Sequence, residues 1–189
     1  MIEKNDKEKK RIKEFARKNM NSLVSEKQKE LIIQKEIKAL NLLCGIWKCE
    51  FTYIGADMFS KIDGIFTRDN VIKGIFDVKV RNQSLSWYID YKSVMINFNR
   101  VQGASEFSRM FKVKFFHIVQ TSEGHLLVYQ ITNEEGTIVC PMNIRYSKNK
   151  VSKQGGEKSK EFSKQTAIAY LPLEENDYLT IYKHKGIGY

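Results

Sequence analysis

Two aspartates and a lysine lie close together in KIDGIFTRDNVIKGIFDVKVR, residues 61–81, and their types and spacing suit metal-assisted attack on a phosphodiester. Asp63 sits on one run of alternating apolar and polar residues, and Asp77 and Lys79 form an Asp-x-Lys on the next. Side chains alternate between the two faces of a strand, so Asp77 and Lys79 point the same way. Hydrolysis needs charge neutralised on the phosphoryl oxygens, a water made nucleophilic and a leaving oxygen stabilised; a hard cation contributes to each. Mg²⁺, with Mn²⁺ as the alternative, takes oxygen ligands and usually few carboxylates, leaving its other positions to water and phosphate. Asp63, Asp77 and the backbone carbonyl of Val78 would supply such a partial cage. Lys79 would polarise the attacking water or hold the scissile phosphate. A lone Asp-x-Lys is also a common charge pair on a solvated strand, so the elements around it decide its meaning.

The first of those elements is the hairpin itself. Its strands are expected over 59–67 and 71–81, with Asp63, Ile65 and Thr67 on one face and Ile75, Asp77, Lys79 and Arg81 on one face of the partner. A strict two-residue turn at Asp69-Asn70 would send the two aspartates to opposite faces, because a slip of one residue flips every side chain. A shared face therefore requires an odd-length connection, or a bulge, at residues 68–71.

The second is the helix before it. Ser25 and Gln28 resemble a capping box, and the helix they open is expected to run to about Leu43 and stop before Gly45. Ile33, Ile37, Leu40 and Cys44 form one apolar stripe, and Ile32 and Leu43 a second beside it. Glu36 falls between the stripes. A carboxylate there needs a partner, a metal or solvent, since an unpaired buried charge is costly, and Glu36 is a further candidate ligand.

Elsewhere, IWKCEFTYI over 46–54 reads as a strand, and Asp90 as the cap of a helix to about Arg100 with Lys92 in its first turn. Strands are expected over 111–120, 125–132 and 137–146, the first two joined by the turn TSEG. Residues 147–164, rich in lysine with two glycines, read as a mobile loop. A strand into Pro172, an acidic turn and a final apolar segment close the chain.

The whole chain sets bounds on these readings. With 189 residues, 42% of them hydrophobic, it can bury a sizeable core. Its 32 Lys+Arg against 22 Asp+Glu give a net charge of +10, which favours a polyanion as partner. The apolar runs are too short to span a membrane, and nucleic acid is the expected partner. No apolar stretch follows the charged N-terminus, so a cytoplasmic location is expected. Cys44, Cys49 and Cys140 form no CxxC pair and read as reduced thiols, leaving no structural zinc site. His117, in an apolar strand, reads as a packed core residue; His125 and His184 stand apart. Nothing here resembles a Ser/His/Asp arrangement or a Gly-rich phosphate loop.

KIDGIF, then GIFDVKVR, then WYIDYKSVMINFNRVQGASEF together resemble the core of the PD-(D/E)xK nuclease superfamily, with its restriction-endonuclease-like fold, and especially its small phage-type members. The resemblance implies a single α/β domain over 23–189, a mixed central sheet flanked by helices, preceded by a basic arm over 1–22. It implies metal positions for Asp63 and Asp77, the catalytic lysine position for Lys79, the helix acid for Glu36 and the helix lysine for Lys92. It further implies a Mg²⁺-dependent deoxyribonuclease in the host cytoplasm, with RNA as the alternative substrate. Lys92, Arg81, Lys148, Lys150 and Lys153 are then the candidate backbone contacts. A homodimer would let two sites cut both strands. The rival reading is a nuclease-like fold without catalysis, a nucleic-acid-binding or structural module of a larger assembly.

Overall fold

Helix α1, residues 30–47, opens the part of the chain that the structure, a computed structural model, describes: residues 30–54, 62–149, 164–174 and 176–183. Its helical stripe Ala39, Leu40, Leu43 and Cys44 is buried, and Glu36 is buried with it at 4% exposure. The second expected stripe is narrower than the pattern suggested, for Ile32 is exposed. The helix also runs through Gly45 instead of stopping before it. A helical glycine costs about 1 kcal/mol, and Trp47 offsets that. Its ring meets Phe66 and Phe116 edge-on at 5.4 and 5.0 Å, and its Nε1 donates to the Tyr182 hydroxyl at 2.8 Å. The helix ends at Lys48, which adopts φ 52. The strand expected over 46–54 thus shortens to β1, Glu50–Tyr53.

β2 (Gly64–Arg68) and β3 (Val71–Val80) form the hairpin. Asp69 and Asn70 both have positive φ, at 53 and 60, as a tight two-residue hairpin turn requires. That turn alone would place the aspartates wrongly. The correction comes one pair further in: Thr67 faces Ile72 but Phe66 faces Gly74, leaving Lys73 as the extra residue of a bulge. The parity condition is therefore met by a bulge, at Ile72–Gly74 instead of within 68–71.

The segment after the hairpin departs most from the sequence reading. Asp90 caps nothing; it lies inside α2 (Leu85–Tyr91), which Ser84 caps and Lys92 ends at φ 57. Ser93–Asn97 is strand β4, its burial alternating as period two demands. Only then does α3 (Phe98–Phe111) begin, with Asn97 Oδ1 accepting from Asn99 N at 3.0 Å. Pairing of β4 with β8 (Lys164–Pro172) decides the matter, because Met95 and Ile96 sit opposite Tyr170 and Ala169.

β5 (Lys114–Gln120) and β6 (Leu126–Thr132) match the expected pair of strands, the first shortened by the end of α3. The strand expected over 137–146 begins later, as β7 (Asn143–Asn149), after Pro141 and an isolated bridge from Ile138 to Thr132. β8 (Lys164–Pro172) pairs with β7 through Lys148↔Gln165 and Asn149↔Lys164. Both ends of the expected 147–164 loop are therefore strand; its interior, with Lys150 and Lys153, lies outside the described residues, as does the 1–22 arm. β9 (Leu179–Tyr182) completes the set.

The strands form a six-stranded sheet in the order β1-β2-β3-β5-β6-β9 and a three-stranded sheet β4-β8-β7. β3 and β5 are parallel and the other pairs antiparallel, so the main sheet is mixed and the fold is α/β. A parallel pair needs a crossover, here α2, β4 and α3. One face of the large sheet packs Phe66, Phe76, Val78, Ile118 and Val128 against α1. The other packs Ile75, Phe115, Val119, Leu127 and Tyr129 with α3 residues Val101 and Ala104 and with Val94, Ala169 and Leu171 of the small sheet.

Candidate active site

Asp63 and Asp77 meet at the point where β3 loses its β2 neighbour. The last β2 pair is Gly64↔Phe76, and there Asp63 turns its side chain along β3, so that Oδ2 accepts from Val78 N at 3.0 Å. Gly64 is needed beside it: a Cβ would strike Thr52 O and the Phe76 ring. Beyond Phe76, the residues of β3 keep β5 on one side and open on the other. Both aspartates are 1% exposed, so their charges demand partners.

Lys79 is the hub of those partners. Its Nζ lies 2.7 Å from Val78 O, 2.8 Å from Asp63 Oδ2, 3.2 Å from Asp77 Oδ1 and 4.0 Å from Glu36 Oε1. Each oxygen the sequence offered as a metal ligand thus surrounds one ammonium. Glu36 reaches this point from α1, held by Tyr53 at the end of β1, whose hydroxyl donates to Oε2 at 2.7 Å. Burial pushes the Glu36 carboxyl up, against the Tyr53 hydrogen bond and the Lys79 charge. The Tyr53 hydroxyl is itself pushed up by burial and by Glu36.

Three partners were missed in the sequence. Arg100, in the first turn of α3, bridges the two aspartates: Nη1 donates to Asp63 Oδ1 at 2.8 Å and also to Asp77 Oδ1. A cation in a first helical turn opposes the helix dipole, at a cost of about 0.3–1 kcal/mol. Two carboxylates offset that here, and although burial works against its charge they raise the guanidinium above its ordinary value. The misplaced helix start hid this residue; with Asn97 recognised as the cap, Arg100 against the dipole is a visible signal. Arg100, not Lys92, is the helix cation that reaches the carboxylates. Lys92 ends α2 with its backbone N–H on Tyr88 O.

His117 is the second, and it corrects the reading of a merely packed histidine. The parallel register sets it opposite Asp77, and Nδ1 lies 2.8 Å from Asp77 Oδ2. Its Nε2 is buried without a hydrogen-bond partner among the described residues. A neutral ring with the proton on Nδ1 suits both facts, since an orphaned lone pair costs less than an orphaned N–H. Burial opposes the charge of Asp77, but His117, Lys79 and Arg100 outweigh it and hold the carboxyl well below the usual range. Tyr53 is the third, and the demand of Glu36 for a partner was its signal.

Of the remaining candidates, Arg81 follows β3 with its N–H on Gln120 O at 2.9 Å and an exposed side chain. Lys148 lies in β7 opposite Gln165, in the small sheet.

A hard divalent cation fits this donor set by chemistry. The ligands are all oxygens, and Lys79 Nζ is a stand-in cation at their point of convergence. Among the described residues no three acidic, histidine or cysteine side chains close up into a ready cage. Two carboxylates and a carbonyl, with water and phosphate, match the habit of Mg²⁺ better than an all-protein cage would.

No protein-family model, curated protein or solved structure matches the chain. Among the described residues, no helix is long and apolar enough to cross a membrane.

Proposed function

We propose that the chain is a metal-dependent nuclease hydrolysing DNA phosphodiester bonds, with RNA as the alternative substrate. The observation that supports it is the convergence of Asp63 Oδ2, Asp77 Oδ1, Val78 O and Glu36 Oε1 on one cationic position. Asp63, Asp77 and Val78 O would hold Mg²⁺ or Mn²⁺ there, with Glu36 behind. When bound, the ion would neutralise phosphoryl charge and make a water more acidic. Lys79, whose side chain is 27% exposed, would give up its place among the carboxylates and present its ammonium to the phosphate or the attacking water. Arg100 engages the aspartates through Nη1, which leaves its other donors for a phosphate oxygen. His117 would keep Asp77 ionised and oriented, and Tyr53 would do the same for Glu36 in rotation if not in charge.

The test is cleavage of supercoiled plasmid with Mg²⁺ or Mn²⁺ by the full chain and by Asp77→Ala and Lys79→Ala. The expected result is nicking by the wild type that falls at least about a hundredfold in each variant, the usual loss for a group acting on the reacting charge. Cleavage that persists in both would overturn the assignment.

One observation favours a second reading. Lys79 and Arg100 already neutralise both aspartates, so the network is complete as it stands. A nuclease-like fold that binds nucleic acid without cutting it would keep such a network for stability. Retained binding with no cleavage by any of the three proteins is its expected signature.

A further inference from the structure

The charged face of β3 continues past Lys79 to Arg81, and Arg81 opens onto a small cleft. That cleft, about 140 Å³, is lined also by Gln83, Trp87, Tyr88, Ser93 and Met95. Ser93 is shared with a larger cleft of about 760 Å³, whose lining includes Tyr91, Lys92, Asn143, Arg145 and Tyr170. The two therefore adjoin, and together they lead from the end of β3 across the outer face of the small sheet.

Rings stand along this path. Trp87 and Tyr91 stack at 4.9 Å with their planes 10° apart, the first lining the small cleft and the second the large. They are 39% and 50% exposed. In the large cleft Arg145 sits 5.1 Å above the centre of the Tyr170 ring. Cations stand along it too, as Arg81, Lys92 and Arg145, and among the described residues no Asp or Glu lines either cleft. An acidic peptide would answer the cations but has little use for flat rings. Bases already stacked in a duplex leave the rings unused as well. Unpaired bases on a phosphate backbone answer both, since base-on-ring stacking is sequence-tolerant and the cations meet the phosphates.

We infer that the two clefts form one track for a single-stranded polynucleotide, with bases stacking at Tyr91 and Tyr170 and phosphates meeting Arg81, Lys92 and Arg145. That the strand on this track is the one entering or leaving the Asp63–Asp77 site rests on the nuclease reading; the binding itself does not.

Fluorescence polarisation with labelled single-stranded DNA, single-stranded RNA of the same sequence and the matching duplex tests this, in EDTA so that no cleavage intervenes. The wild type is expected to prefer single strands. Tyr91→Ala, at an exposed ring, should weaken single-strand binding about tenfold and duplex binding less than about twofold. Arg145→Glu should weaken both and flatten the salt dependence. Whichever single strand binds tighter identifies the polynucleotide. Single-strand binding equal to wild type in both variants overturns the track, whatever the plasmid assay gives. Wild-type binding to phosphatidylserine vesicles or polyglutamate but to no polynucleotide overturns it as well. Single-strand binding that fails in the variants as expected, with no protein cutting plasmid, upholds the track and removes the nuclease reading alone.

Discussion

Phe76 and Asp77 are consecutive on β3 and face opposite sides of the same sheet. Phe76 is fully buried and packs with Phe66 at 4.6 Å and Phe51 at 6.4 Å, in the cluster that seats α1. Asp77, just as buried, touches Lys79, Arg100 and His117. Burial on the first side releases free energy with every methylene removed from water. On the second it costs free energy until each charge finds a partner, and Lys79 of β3, Arg100 of α3 and His117 of β5 supply those partners. The charged face is held by pairing of its charges, whereas the opposite face is held by apolar burial.

The largest effect expected of this contrast is a double dissociation. Phe76→Ala should cost about 3–5 kcal/mol of stability, measured by urea denaturation, because it opens a cavity in a ring-packed core. Asp77→Asn keeps the volume and should cost less, about 1–3 kcal/mol for weakened charged hydrogen bonds, yet should remove metal-dependent cleavage. Similar stability losses at the two positions, with cleavage intact in Asp77→Asn, would erase the contrast.

Arg100→Ala sharpens it on the charged side. Without the guanidinium, Asp63 Oδ1 and Asp77 Oδ1 lose their shared donor. The expected loss is about 1–2 kcal/mol, trimmed because the Arg100 side chain is 25% exposed. Mg²⁺ should restore stability to this variant more than it stabilises the wild type, since on the proposed reading the ion would supply Asp63 and Asp77 with positive charge in place of the lost guanidinium. Equal thermal shifts with Mg²⁺ in both proteins would mean the aspartates do not take the metal.

The smallest effect is in the pH dependence, where the two site carboxyls pull opposite ways. Asp77 lies below its ordinary 3.8 in the folded chain, so its stabilisation is complete above that pH and is lost as pH falls through the folded value. Glu36 lies above its ordinary 4.5, so its contribution is complete below that pH and is lost as pH rises through the folded value. Glu36→Gln should therefore lessen the fall in urea midpoint from pH 4.5 towards neutrality and leave the acid limb unchanged. A variant whose profile runs parallel to the wild type would show that Glu36 carries no such penalty.

Parts of this arrangement were legible along the chain. The alternation around Asp77 put Lys79 on its face. The position of Glu36 within an apolar arc marked it as a carboxylate in need of a partner, and parity required an odd-length connection or a bulge if the aspartates were to converge. The segment after Asp90 was not legible, since a short run such as SVMIN suits either helix or strand until β8 pairs with it. That one misreading moved the start of α3 by a helical turn and more, and so put Lys92 where Arg100 belongs. His117 was hidden for a different reason: its partner is 40 residues away, across a parallel pair whose register no local pattern records.

What the sequence alone determined, then, is what travels with period two or 3.6: which residues share a face of β3, which face of α1 is buried, and the excess of positive charge. The tertiary structure decided which faces meet. Asp63 and Asp77 share Arg100, and Glu36 reaches Lys79, because β2 ends one pair short of Asp77 and leaves an opening there for α1 and α3 to supply side chains, while His117 comes from β5 on the paired side. Local periodicity aims a side chain, and long-range packing alone determines what it finds.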